Sequence, residues 1–148
     1  MQTEIVDVEE RSLAVVRKRV PMKDMGKAQR EARALLAETL AAANVQPDAR
    51  AVTVWRSPEQ GMIDYAPGRF ISGPVNLSGE VSLFKLPRGK AAHLRLTGSY
   101  EKLPEAWASL FQACKSRGLE LSGLHWEIYA PAETPEEKME TDLYALLA

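Results

Sequence analysis

The stretch IVDVEERSLAVVRKRVPMKDMGKA, residues 5–28, recurs in altered form as LFKLPRGKAAHLRLTGSYEKLPEA, residues 83–106, at a constant offset of 78 and without a gap. Ile5, Val6 and Val8 fall on Leu83, Phe84 and Leu86. Ala14, Val16 and Arg17 fall on Ala92, Leu94 and Arg95, and Met22, Met25 and Ala28 on Tyr100, Leu103 and Ala106. Two copies of one unit imply a pseudo-twofold arrangement with a shared seam in which a ligand can sit.

Working outward, residues 4–8 and 13–20 read as β-branched strands joined by a polar turn, Glu9-Glu10-Arg11-Ser12. From Met25 to Ala43 the apolar residues recur at three-to-four spacing, the mark of an amphipathic helix, which Asn44 and Pro47 end. Val52-Thr53-Val54-Trp55 is a short strand stopped by Ser57-Pro58. A strand over about 62–71 is expected to break at a bulge, Pro67-Gly68, before the Gly73-Pro74 and Ser78-Gly79 connector. The second copy repeats the order: strands at 80–86 and 91–97 around a turn at Pro87-Arg88-Gly89-Lys90, then a helix carrying Leu103, Trp107, Leu110, Phe111 and Cys114. Pro104 lies in its first turn and Gly118 at its stop. A strand at Trp126-Glu127-Ile128-Tyr129, a capped turn at Thr134-Pro135-Glu136-Glu137 and a last strand over about 140–147 complete it.

Past the helices the register changes. Val54-Trp55 meets Ile128-Tyr129 at an offset of 74, and Glu59 meets Glu133 at the same offset. The fold class is therefore α+β: two pseudo-twofold-related repeats, about 3–72 and 79–148, sharing one antiparallel sheet in a single domain.

A chain of 148 residues, 45% hydrophobic, is long enough for one core. Its formal charge of −1 gives no field that draws nucleic acid, and the densest basic run, Arg17-Lys18-Arg19, lies on a strand, so direct DNA binding is not expected. One cysteine excludes an internal disulfide and fits a reducing, cytoplasmic setting, with Cys114 a core thiol. No segment is long and apolar enough to suggest a membrane span or a signal peptide. His93 and His125 lack partners at metal spacing, and no P-loop, dinucleotide fingerprint or nucleophile elbow occurs, so no metal or cofactor is expected.

Strand alternation puts Glu127 and Tyr129 on one face and Trp126 and Ile128 on the other. Under the 74 offset Thr53 and Trp55 take the equivalent places in the first copy, so the seam has two aromatic walls, Trp55 and Tyr129, and one carboxylate. Such a site suits a flat apolar ligand with one positive or hydrogen-bonding group. The other reading of Glu127 is a solvated glutamate on the open face of a sheet. Tyr100, at a strand-to-helix corner, either caps the pocket or staples the helix. Trp107 lies on the apolar helix stripe, and Tyr65 and Tyr144 divide between core and pocket.

These residues together resemble a family. Leu86-Pro87-Arg88-Gly89-Lys90, Gly98-Ser99-Tyr100-Glu101-Lys102-Leu103-Pro104-Glu105-Ala106-Trp107, Gly123-Leu124-His125-Trp126-Glu127-Ile128-Tyr129, Glu133-Thr134-Pro135-Glu136-Glu137 and Thr141-Asp142-Leu143-Tyr144 follow one another as in the GyrI-like effector-binding domains of bacterial transcription regulators. The resemblance covers essentially the whole chain. It implies two strand-helix-strand-strand modules with a groove between them, a pocket acid at Glu127 that meets lipophilic cations, and aromatic walls from Trp55, Tyr65, Tyr100, Trp107, Tyr129 and Tyr144. Trp55-Arg56 stands where tyrosine-rich residues are common, and Ala145 where a proline often closes the last strand.

The resemblance further implies a stand-alone, multidrug-type small-molecule binder. Alternatives are a hydrolase of cyclopropane-bearing genotoxins, using Glu127 with Tyr100 or Tyr144, or a protein that acts through a regulator or gyrase partner. A haem carrier would need His93 as its axial ligand.

Overall fold

Each repeat pairs with the other before it pairs with itself. The computed structural model describes residues 2–56, 60–73, 75–77 and 79–148. Its first repeat contains strands β1 (Thr3–Val8), β2 (Arg11–Val16) and β3 (Lys18–Pro21), helix α1 (Met25–Ala42), and strands β4 (Ala51–Arg56) and β5 (Met62–Phe70). The second contains β6 (Val81–Leu86), β7 (Gly89–Thr97), α2 (Leu103–Ser116), β8 (Leu121–Ile128) and β9 (Glu140–Leu147). Among the described residues nine strands form one antiparallel sheet in the order β1-β7-β9-β8-β4-β5-β2-β6, with β3 beside β5. No helix among them is long and apolar enough to cross a membrane. The expected strand stop at Ser57-Pro58, the Glu59 match to Glu133, and Pro74 and Ser78 of the connector lie outside the described residues.

The order is palindromic under exchange of the repeats, as a pseudo-twofold requires. The expected turn at Glu9-Glu10-Arg11-Ser12 is not a hairpin. β1 and β2 pair in one unbroken register with β7 and β6, from Thr3 opposite Leu94, through Val8 opposite Gly89 and Arg11 opposite Leu86, to Val16 opposite Val81. They are two halves of one ribbon, bent at Glu9-Glu10 and at Pro87-Arg88, and the halves form the opposite ends of the sheet. The expected turn through Lys90 is shorter for the same reason, since β7 already starts at Gly89. A sheet whose two ends are one bent ribbon must curl. Its inner face buries Leu13, Val15, Val52, Val54, Phe70, Leu86, Trp126 and Ile128 against one another, with no helix contributing.

The helices cover the outer face. α1 buries Ala28, Ala32 and Leu36, and α2 buries Ala106, Leu110 and Cys114, so the offset of 78 runs through both helices. α1 has 18 residues and α2 has 14, and that extra helical turn is the change of register from 78 to 74.

Pro67-Gly68 does not bulge. β5 runs straight through it, with Thr53 opposite Pro67 and Val52 opposite Gly68. Proline has no N–H to give to a ladder, and the pairing of β5 with its other neighbour lapses there, between β2 and β3 at Arg17. Gly68 is needed for close approach: a Cβ on it would lie 2.8 Å from both the Ala14 carbonyl oxygen and Val15 Cγ1. The irregularity falls instead in β8, between Leu121 and His125, where Gly123 takes φ 94°. That break hides the alternation of residues 121–125, and β8 is longer than the four residues expected. The turn at Glu136–Lys138 forms without a side-chain cap.

Candidate functional site

Strands β4 and β8 are the middle of the sheet, and the pseudo-twofold passes between them. Thr53 lies opposite Glu127, and exchange of the repeats maps this pair onto itself. α1 covers the strands of one side and α2 those of the other, leaving the outer face of β4 and β8 as the floor of a groove between the helices. Thr53, Trp55, His125, Glu127 and Tyr129 are presented there, because Val52, Val54, Trp126 and Ile128 are claimed by the inner core.

Glu127 is only 4% exposed. Trp107, reaching across from α2, donates its indole N–H to Glu127 Oε1 at 3.2 Å. Burial pushes the Glu127 carboxyl above the ordinary carboxylate range, and the Trp107 indole hydrogen pulls part of the way back. No arginine or lysine among the described residues forms an ion pair with it. The buried Trp55 indole nitrogen has no hydrogen-bond partner. Tyr129 donates to Thr53 Oγ1 at 2.8 Å, and burial beside Glu127 drives its phenol far above its usual pKa. Tyr100 lies edge-on to Tyr129 at 5.8 Å, with its own phenol raised by burial and by Glu127.

The groove has two lobes that share Met25, Trp55, Leu103 and Glu127, one of about 460 Å3 and the other of about 450 Å3. The pseudo-twofold relates them. Gln29, Arg33, Tyr100 and Ala51 in the first correspond to Trp107, Phe111, Met22 and His125 in the second. The second is aromatic, with Trp107 stacked on Phe111 at 5.4 Å and Phe111 edge-on to His125 at 5.2 Å. Burial lowers the His125 pKa, which favours the uncharged imidazole. In the first, Arg33 donates to Thr53 Oγ1 at 2.9 Å and to the carbonyls of Gly68 and Val52.

Of the seven residues expected at the seam, Glu127, Tyr129, Trp55, Trp107 and Tyr100 line this groove. Tyr65 stands behind it: its ring stacks on Trp55 at 5.2 Å and its hydroxyl donates to the Met25 carbonyl, so it braces a wall. Tyr144 is not in the groove. It pairs with Trp126 and His93, shares their face, and stacks on Trp126 at 5.3 Å on the far side of the sheet. The Glu127–Tyr144 pairing expected for a hydrolase is therefore ruled out by register, whereas Tyr100 stays beside Glu127. His93 also lies on that far side, with Nε2 held 2.8 Å from Asp142 Oδ1.

Arg33, Gln29, His125 and the Met22–Met25 pair escaped the sequence reading. A signal for the helix residues was present, since Met25, Gln29 and Arg33 stand opposite Leu103, Trp107 and Phe111 at the 78 offset, one helical stripe away from the buried one. Among the described residues no group of three or more His, Cys, Asp or Glu side chains is placed to hold a metal ion.

Several solved structures share this architecture. The C-terminal domain of EcmrR superposes with a TM-score of 0.83 at 15% identity, over 99% of this chain and 97% of that one. SAV2435, solved bound to tetraphenylphosphonium, gives 0.71 at 11% identity, over 100% and 94%. A hydrolase encoded by lin2189 from Listeria innocua gives 0.63 at 16% identity, over 99% and 92%. No curated protein matches the chain by sequence. At such identities the structural matches establish a common fold. The sequence itself matches the GyrI-like small molecule binding domain over residues 1–148, and with the paired repeats and the groove at their seam the chain belongs to that family.

Proposed function

We propose that this protein binds flat or bulky lipophilic cations in the groove, as a multidrug-type sensor or sequestering protein of the cytoplasm, with Glu127 as the counter-charge. The observation that carries this is the state of Glu127: a buried carboxylate on the floor of an aromatic groove, with an indole hydrogen bond and no ion-pair partner among the described residues. A carboxylate that has lost hydration without gaining a cation is costly, and an incoming positive charge removes that cost. The rings of Trp55, Trp107 and Tyr129 add about 0.5–2 kcal/mol for each cation contact. The tetraphenylphosphonium held by SAV2435, which has the same fold, supports this ligand class.

Titration with tetraphenylphosphonium, followed by tryptophan fluorescence and calorimetry, tests the proposal. Binding is expected to be saturable, and Glu127→Gln to weaken it by about 30-fold, as expected for loss of one partner of a buried charge pair. Equal affinity in the variant would remove Glu127 from the reading.

A second reading rests on Tyr100 and Glu127, which line one lobe, where burial and then the Glu127 charge raise the pKa of the Tyr100 phenol. In a hydrolase Glu127 would take a proton from water while Tyr100 protonated the leaving atom. Mass spectrometry of a cyclopropane-bearing alkylating agent after incubation distinguishes turnover from binding: product that disappears in Glu127→Gln supports the hydrolase.

A further inference from the structure

We infer that the lobe under α1 is an anion subsite, so that the ligand is a zwitterion: an aromatic cation at Glu127 that also carries a carboxylate or similar anionic group at Arg33 and Arg69. This deepens the cation reading above and rests on it. The argument comes from comparing two lobes that the fold makes equivalent. Where one presents Trp107 and Phe111, the other presents Gln29 and Arg33, and it adds Arg69 from β5. The same backbone frame thus holds one apolar end and one cationic end on either side of a single carboxylate.

Arg33 is held for a purpose other than pairing with a protein acid. Its guanidinium lies over the Tyr129 ring, 5.9 Å from the centroid. Among the described residues it donates to three neutral oxygens, Gly68 O at 2.9 Å, Val52 O at 3.0 Å and Thr53 Oγ1 at 2.9 Å, and no carboxylate pairs with it. Thr53 occupies the place that Glu127 occupies in the other repeat, so the residue that would neutralise Arg33 is the one the first repeat lacks. Arg69 is also without an acidic partner among the described residues. It donates to the backbone carbonyl of Asp48. Desolvation and the nearby Arg69 both disfavour the charged form of Arg33, which lowers its pKa. Two guanidinium groups that line one lobe without an acidic partner among the described residues suit a bound anion, because charge-assisted contacts to a carboxylate are about twice as strong as neutral ones. A lobe of about 460 Å3 has room for that group beside Tyr100 and Tyr129.

The test uses a matched pair of probes, rhodamine B, whose free carboxylate makes it a zwitterion, and rhodamine B ethyl ester, which has the same cationic ring system and no acid. At pH 8 and low salt the intact protein is expected to bind the acid about tenfold more tightly than the ester, the value of one charge-assisted contact. Arg33→Met and Arg69→Met are expected to erase that preference, so that the two dyes bind alike. Arg33 also bridges β4 and β5, and if its variant does not fold, Arg69→Met and the comparison of the two dyes on the unaltered protein decide the matter. An ester bound as tightly as the acid would overturn the anion subsite and leave the cation reading standing. If neither dye binds while tetraphenylphosphonium does, the anion subsite falls and the cation reading stands; if none of the three binds, both fall.

Discussion

Thr53 and Glu127 face each other across the β4–β8 ladder, on the pseudo-twofold axis, so the one position where the two repeats must meet is also where they differ in charge. Thr53 Oγ1 accepts hydrogen bonds from the Tyr129 hydroxyl at 2.8 Å and from Arg33 at 2.9 Å. Thr53→Val keeps the shape and removes the acceptor. Each donor left unpaired costs about 1–3 kcal/mol, so the variant is expected to melt several degrees lower, by calorimetry, and to loosen both walls of the polar lobe. An unchanged melting temperature would mean that both donors find other acceptors.

The buried charge of Glu127 has a stability signature. Its pKa is higher in the folded protein than in the unfolded chain, chiefly through burial. The folded state therefore holds the proton to higher pH, and the group's favourable contribution is complete below the unfolded value of about 4.3. That contribution is lost as pH rises through the folded value. Glu127→Gln removes this titration while keeping an acceptor for Trp107. The variant is expected to be more stable than the parent at pH 8, with the gap closing towards pH 4, in urea titrations across that range. A gap independent of pH would show that Glu127 does not titrate between the two states.

Asp142 behaves in the opposite sense. Its side chain is 3% exposed. Against the upward push of burial, His93, Arg95 and Arg50 hold its carboxyl well below the ordinary range. Their contacts measure 2.8 Å for His93 and 2.9 Å for both Arg95 and Arg50. With the folded value depressed, this stabilisation is present above the unfolded pKa of about 3.9 and is lost as pH falls from there towards the folded value. Asp142→Asn leaves three donors around a neutral amide and is expected to cost about 1–3 kcal/mol at pH 7, less than for a pair buried on both sides because Arg95 is half exposed. The difference from the parent should shrink below pH 3, and a constant difference would point to packing alone.

The parts of the site that were legible in the sequence are those fixed by local geometry. Period-two alternation around Glu127 was enough to put Tyr129 on its face and Trp126 on the other, and the offset of 74 was enough to bring Trp55 opposite in symmetry. Partner choice between distant strands is a tertiary matter. The bent ribbon of β1 and β2 looks like a hairpin because a polar Glu9-Glu10 pair serves a bend as well as a turn. Tyr144 was misplaced because its face depends on which residues of β7 and β8 it pairs with, and the spacing along β9 alone does not carry that. Arg33 was missed because its symmetry counterpart Phe111 is apolar, so the repeat offset points to it while hydrophobic periodicity does not.

The three tryptophans divide between the two faces of the sheet, and this makes the location of the ligand measurable. Trp55 and Trp107 line the groove, whereas Trp126 is 3% exposed within the inner core and stacked on Tyr144. A ligand in the groove changes the surroundings of the first two at contact distance and reaches the third only through the sheet. Trp126→Phe is therefore expected to keep the full absolute change in emission on addition of tetraphenylphosphonium. Trp55→Phe and Trp107→Phe are each expected to lose a large share of it, with affinity followed separately by calorimetry. Trp107→Phe also removes the hydrogen bond to Glu127, which raises the carboxyl pKa further and shifts the onset of cation binding to higher pH, whereas Trp126→Phe has no such effect. A change in emission that disappears with Trp126 would place the ligand on the inner face, beside Tyr144, and would move the site away from Glu127.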